Sequence, residues 1–575
     1  MEKTSILTPL QRFFNLLKID RQEIFSIYLY AFFNGVVTLS IPLGIQAIIS
    51  FITAGEVSSS WIVLVIFVIL GVAFTGVMQI MQLTITENLQ QKIFTRSAFE
   101  FAYRIPRMKL EATDQSYMPE LVNRFFDTLS IQKGLPKILM DFSSASLQIV
   151  FGLVLLSIYH PFFIMFSLVL IMIVYLIFKY TTPRGLKTSL KESTHKYEVA
   201  HWLEELARAN STFKLAGKTP LSLDRTDEKV THYLTSRKAH FKTLLLQYIN
   251  LVGFKIIIAA GLLLIGGLLV INQQMNIGQF VASEIIIILI FASVEKLILS
   301  METIYDVLTA IEKVGSVTDI ELENEYGTQL KFKEDDAVSI KAENLSFQFD
   351  SSKEKIIDNI SLDIKSGSSA CIAGYDDSGK SILLQLMAGL FDSYQGTLAF
   401  NKIPLSSIHK EDLRTYLNDC LAKEDIFKGT VHENITLGKP NISNEQIDEI
   451  VNVLGLSDFI MNTKHGYNTV LLPAGKTLPK SVCLKIILAR ALVGNPKLVL
   501  IGDNFNQLNY EDKQRVIKYL MRKDNKCTII TISNDPEIAK YFDQVIVLKK
   551  GKVIGNNHLN ALKDNDWFQQ IFNPK

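Results

Sequence analysis

Residues 374–381 read Gly-Tyr-Asp-Asp-Ser-Gly-Lys-Ser, the spacing G-x-x-x-x-G-K-S. Each part of that spacing suits a phosphate. Gly374 and Gly379 let the main chain come close to an anion, and the amides from Ser378 to Lys380 converge at a helix N-terminus. The Lys380 ammonium reaches β- and γ-phosphates, and the Ser381 hydroxyl is a ligand for Mg²⁺. The chemistry is the holding of a nucleotide polyphosphate. Two neighbours oppose it, because Asp376 and Asp377 place carboxylates in the same loop, where like charges repel.

The flanking sequence supplies the elements that such a loop needs. A short apolar run at 369–373 reads as a strand leading into the loop, and 382–390 reads as the helix leaving it. Runs at 338–340 and 345–349 read as further strands, and strand-helix alternation after residue 336 predicts an α/β domain. The four cysteines, Cys371, Cys420, Cys483 and Cys527, all fall in this part and lack metal-type spacing. They read as reduced thiols of a cytosolic domain.

The N-terminal part is of another kind. The chain has 575 residues, of which 48% are hydrophobic and only 20% charged. A net charge of +2 gives no bulk attraction for nucleic acid, and the composition excludes disorder, collagen and a disulfide scaffold. Uncharged runs at 25–55, 61–86, 142–178 and 256–283, and at 285–294 after a lone Glu284, concentrate the apolar excess before residue 300. Six membrane-spanning helices are predicted near 24–52, 60–86, 140–159, 161–181, 246–271 and 277–301. The stretch 87–140 carries eight Lys/Arg and 179–245 carries thirteen, while 53–60, 159–161 and 271–277 carry none. Both ends and both long loops are therefore expected on the cytoplasmic side, with no cleavable signal before the first span. The long loops read as helical, with Phe94, Ala98, Phe101 and Ile105 forming a packing stripe.

Six spans, two long cytoplasmic helical loops and a following P-loop domain resemble one half of a type I ABC exporter, over nearly the whole chain. Phe347-Gln348-Phe349 resembles the adenine-stacking strand, with Phe349 as the stacking ring. Leu413-Arg414 and residues 426–435 resemble the surroundings of the family's Q-loop, and residues 489–492 with Asn495-Pro496 resemble the approach to Walker B. Residues 543–548 and 550–552 resemble the closing strands. Glu204-Glu205-Leu206 with Phe213-Lys214, and residues 276–282, resemble the second coupling segment and the entry to the sixth span. The resemblance implies an all-α six-helix transmembrane domain over 1–318, a linker over 319–335 and an ABC-type α/β P-loop domain over 336–575. It implies ATP and Mg²⁺ as ligands, the latter on Ser381, and a place in the inner or plasma membrane among lipid. It also implies a homodimer, or a heterodimer with another ABC half, because each nucleotide in the family lies between two chains.

The catalytic positions depart from the family. Ala422, beside Lys423, stands at the Q-loop glutamine, and Leu478-Pro479-Lys480-Ser481-Val482 stands at the signature. Gly502-Asp503 replaces the Walker B Asp-Glu pair; a one-residue slip would instead give Asp503 the metal and Asn504 the base. Asn509 stands at the D-loop aspartate and Asn534 at the switch histidine. Phosphoryl transfer depends on positioning and charge stabilisation, so losing several such groups together predicts weak or absent hydrolysis, with Asp503 the one candidate base. Two functions follow: an ATP-driven exporter half, or a nucleotide-binding pseudo-ATPase that supports a competent partner. In the spans, Glu284 and Lys255 are candidate pathway residues, although Lys255 better suits snorkelling toward the cytoplasm. Gln46, Gln79 and Gln82 suit hydrogen bonding between helices.

Overall fold

The computed structural model describes residues 8–53, 59–113, 117–330, 337–349, 352–421, 426–503, 507–522 and 526–572. By contacts the chain divides into two units. One comprises Met1–Pro106 with Gln115–Ile320, the other Arg107–Asp114 with Glu321–Lys575.

The first unit is helical. Among the described residues six helices are long and apolar enough to cross a membrane: Arg21–Ile52, Ser59–Arg107, Met118–Tyr159, Phe162–Arg208, Leu221–Ile271 and Ile277–Thr318. They run past the apolar segments because the polar loops between the predicted spans continue the same helices. A π turn at Leu262–Gly266 interrupts the fifth. Asn276 starts the sixth with a capping box, accepting from the Gln279 N–H at 2.7 Å while Gln279 Oε1 accepts from the Asn276 N–H. The last helix packs against Asp127–Tyr159, with Leu135, Ile286, Ile290 and Val307 fully or almost fully buried. Before the first span, Pro9–Ile19 lies as a separate helix, tied by Arg12 to Asp319 at 2.9 Å and Glu312 at 3.4 Å.

Polar side chains in the spans find partners in neighbouring helices. Gln82 Nε2 donates to the Ile27 carbonyl and Tyr159 Oη donates to Gln46 Oε1, while Gln79 is exposed. Lys255 does not simply snorkel, because its ammonium donates to Glu295 at 2.6 Å. Glu284 is half-buried. The stripe 94/98/101/105 packs through Phe94 and Phe101, both edge-on to Phe125.

The second unit is α/β. A six-stranded sheet runs in the order Lys552–Asn557, Gln544–Lys549, Ser369–Gly374, Thr528–Ile532, Leu498–Ile501, Leu417–Cys420, parallel except at the first strand. A smaller antiparallel sheet contains Ile357–Ile364, Ile340–Phe347, Tyr394–Phe400 and Ile403–Pro404. Part of the stretch read as linker packs with this unit, since Arg414 grips Glu323 through two bonds of 2.6 and 2.7 Å. So does 107–113, where Arg107 donates to Glu411 and Glu111 accepts from the Asp392 and Ser393 amides. All four cysteines are free thiols. Burial pushes Cys371 and Cys527 up to about 12.

Candidate functional site

The parallel register creates the loop. Ser369–Gly374 is buried along its length between Thr528–Ile532 and Gln544–Lys549, so residue 374 emerges at the carboxyl edge where open α/β sheets bind ligands. Gly374 has φ +152°, and a Cβ there would lie 2.3 Å from the Leu548 carbonyl oxygen. Only glycine fits this approach. Gly379 precedes the helix Lys380–Met387 at φ +93°, where a Cβ would meet the Ile356 carbonyl oxygen at 2.7 Å. Between them Asp377 takes the left-handed region at φ +54°, which aspartate tolerates better than most residues.

The side chains of the loop divide into two sets. Lys380 folds back, donating to the Gly374 and Tyr375 carbonyls at 2.9 and 2.6 Å. Burial lowers its pKa, and the carboxylates of Asp376, Asp503 and Asp377 oppose that shift. One cation therefore stands in the field of three carboxylates. Asp376, Asp377 and Ser381 are exposed, whereas Ser378 is buried with no hydrogen-bond partner for its hydroxyl. Tyr375 is held by Gln570 at 2.5 Å, with Lys549 over its ring. A phosphate fits here: the glycine cradle, the helix N-terminus, the ammonium and the orphan hydroxyl of Ser378 are all present. Mg²⁺ would fall to Ser381, and Asp503 is a carboxylate in the field of the same loop.

Phe349 is half-buried at the end of the antiparallel sheet, with its ring edge-on to Phe347 at 5.0 Å and Phe391 at 5.6 Å. Those contacts fix the orientation of the ring. Asp503 follows the strand Leu498–Ile501 and is exposed. Gly502 prolongs the ladder, donating its N–H to the Cys420 carbonyl at 3.0 Å. A side chain at 502 would meet that same oxygen at 3.1 Å from its Cβ. Asn509 caps the helix Tyr510–Leu520 by accepting from the Asp512 amide. Ala422, Lys423 and Asn504 lie outside the described residues.

At the signature positions Pro479 precedes the helix Lys480–Leu492 and gives it no side-chain cap. Leu478 and Val482 pack against the core of the unit, and Ser481 is exposed. Pro479 has no N–H, so it removes one main-chain donor beside that helix start.

Asn534 supplies what sequence reasoning missed. Its amide spans the backbone of Gly374: Oδ1 accepts from the Gly374 N–H at 3.0 Å, and Nδ2 donates to the Gly374 carbonyl at 3.0 Å. The only sequence signal was an asparagine two residues past a buried strand, which registers only once that strand is known to adjoin residues 369–374. Lys255 was legible as a lone charge in an apolar run, but its partner Glu295 was not, since Lys296 follows it directly.

Six membrane helices joined to a P-loop α/β unit define a multi-pass membrane protein with a nucleotide-binding domain. Family comparison identifies that class. The family model described as ABC transporter transmembrane region matches residues 24–294, and the ABC transporter model matches 357–506. The chain belongs to the ABC transporter family, with a transmembrane region and an ATP-binding domain in one polypeptide. The leukotoxin translocation ATP-binding protein LktB of a Pasteurella haemolytica-like species (strain 5943B) is 26% identical over 368 residues, 64% of this chain and 51% of that protein. The alpha-hemolysin translocation ATP-binding protein HlyB of Escherichia coli O157:H7 is 27% identical over 353 residues, 61% of this chain and 49% of that one. The match thus spans about half the length of these curated relatives. A solved bacterial Atm1-family ABC exporter with ATP bound shares the fold at a TM-score of 0.85 and 18% identity, covering 96% of this chain and 97% of that one.

Proposed function

We propose that this chain is one half of a membrane exporter, that it binds ATP with Mg²⁺ at Gly374–Ser381, and that it hydrolyses the nucleotide poorly. In this reading two halves pair, as a homodimer or with another ABC half, and the nucleotide domain faces the cytoplasm. Phe349 stacks the adenine, Lys380 leaves the Gly374 and Tyr375 carbonyls for the phosphates, and Ser381 holds Mg²⁺. The ion supplies charge neutralisation between phosphate oxygens when bound. Asp503 orients water or ion from its turn.

One observation carries the reading: the position that faces the γ-phosphate in the family is Asn534, and both polar ends of its amide are engaged by Gly374. Gly502, at the metal-side carboxylate position, adds no charge. A second reading, a pseudo-ATPase subunit without turnover of its own, is favoured by the same two residues.

The test uses the full chain in nanodiscs, with ATP binding and ATP turnover measured beside Lys380→Ala and Asp503→Asn. Turnover above background that both substitutions abolish supports a hydrolysing exporter half and sinks the pseudo-ATPase. Binding without turnover supports the pseudo-ATPase. No binding at millimolar ATP overturns both.

A further inference from the structure

The helices Phe162–Arg208 and Leu221–Gly261 run antiparallel, and polar side chains bridge them at a regular step. Gln247 Nε2 donates to Thr181 Oγ1 at 2.9 Å. Thr188 Oγ1 and His240 Nδ1 are 2.9 Å apart. Trp202 Nε1 donates to Thr226 Oγ1 at 3.1 Å. On the first helix these rungs fall at 181, 188 and 202; on the second they fall at 247, 240 and 226. Seven-residue spacing keeps one seam of each helix facing the other, and it leaves one rung to fill, near 195 and 232–233.

His195 and His232 occupy that rung, with ring centroids 5.7 Å apart and planes tilted by 51°. No hydrogen bond joins them, and His232 makes no hydrogen bond or ion pair among the described residues. Glu198, one turn along from His195, brings Oε2 to 3.2 Å from His195 Nδ1. One ligand atom from each of the three residues lies within 4.8 Å of the other two. The adjacent cation is drawn away, because Lys196 is 3.5 Å from Asp127.

We propose that His195, Glu198 and His232 bind a divalent late transition-metal ion, zinc in the first instance, which closes this rung. Two imidazoles and a carboxylate are a zinc donor set, with water free to complete four-coordination. Bonds of about 2.05 Å in a tetrahedral site put ligand atoms ~3.3 Å apart, close to the separation His195 and Glu198 already have. His232 is exposed, so its ring can swing inward by the remaining ångström or so, and the ion has a path from solvent. The other rungs close by direct hydrogen bonds; this one closes through the metal. The bound ion clips the hairpin whose turn contains Asn210–Leu215.

The test uses the full chain in nanodiscs, purified through a tag without histidine. Co²⁺ reports ligation by its visible absorption, and Zn²⁺ displaces it. One ion per chain is expected, bound more tightly than ~0.1 mM, with His195→Ala and His232→Ala each weakening it by at least about tenfold. His232→Ala removes no other bond, so its metal-free unfolding temperature should equal that of the parent, while Zn²⁺ raises the parent's temperature and not the variant's. Absence of binding at that concentration overturns the proposal. So does equal affinity in His232→Ala, which would place the ion on a thiol or a lipid headgroup.

Discussion

Replacing Asp376 and Asp377 together by asparagine should tighten nucleotide binding. Both side chains are exposed, and both act with Asp503 on the half-buried Lys380 ammonium. Carboxylates that favour that cation repel a polyphosphate held against it. At ~7 Å, two unit charges interact by ~0.6 kcal/mol at the dielectric constant of water and by ~2.4 kcal/mol at an effective value of 20. Exposed groups belong near the lower figure. Two of them acting on a multiply charged ligand sum to about 1–2 kcal/mol, or ~5- to 30-fold in Kd. Asparagine tolerates the left-handed backbone at 377, so the loop keeps its shape. The assay is titration of a fluorescent ATP analogue into the full chain in nanodiscs. The ratio of parent to variant Kd should lie in that range at physiological salt and shrink toward unity near 1 M, where the screening length falls from ~8 to ~3 Å. A ratio of one or less at low salt, or one that salt does not change, would refute the electrostatic account.

Four further outcomes follow from the contacts. Asn534→Ala leaves the Gly374 N–H unpaired while the carbonyl keeps Lys380, costing ~1–3 kcal/mol and lowering both the unfolding temperature and the ATP affinity. Gly185→Ala would place a Cβ 2.2 Å from the buried Tyr305 ring, an overpacking of at least ~1–3 kcal/mol seen as earlier heat aggregation; adding Tyr305→Leu should recover part of it. Maleimide at pH 8 should label Cys483 first in the native chain, because burial holds the Cys371 and Cys527 thiols near 12 and Cys420 is buried; mass spectrometry reads the order. Ser378→Ala removes a buried hydroxyl that has no partner, so stability should hold or rise while ATP affinity falls.

Much of the architecture was legible because its causes are local. Uncharged runs located the six helices, and the glycine spacing located the loop. The helical continuation past the spans was legible too, from helical spacing in the long loops, but the polar rungs that hold it, such as Thr188–His240, carry no hydrophobic signal and were not. The packing of 107–113 with the second unit was hidden, since Arg107 and Glu411 are 304 residues apart in sequence. Asn534 read as a lost catalytic group because a single chain carries no register. Once Ile532 pairs with Ile372, the residue two positions further on must stand beside Gly374, and its amide becomes a structural part.

That clamp bears on what the residues of the loop do. Most of its features hold the fold whether or not nucleotide is present. Gly374 is closed by Asn534 and by the approach of Leu548. Gly379 is fixed by Ile356, and the Ser378 carbonyl accepts from the Gly551 amide. Lys380 ties the two carbonyls that start the loop. Substituting any of these damages the sheet edge first, so their presence reports folding and not turnover. The groups without such duties are the Ser378 hydroxyl, buried and unpartnered, and the exposed Ser381. A buried hydroxyl with no partner costs free energy unless a ligand meets it. Ser378 therefore separates a cradle kept for nucleotide from one kept only for packing. Loss of ATP affinity at unchanged stability in Ser378→Ala is expected of the first, and unchanged affinity is expected of the second.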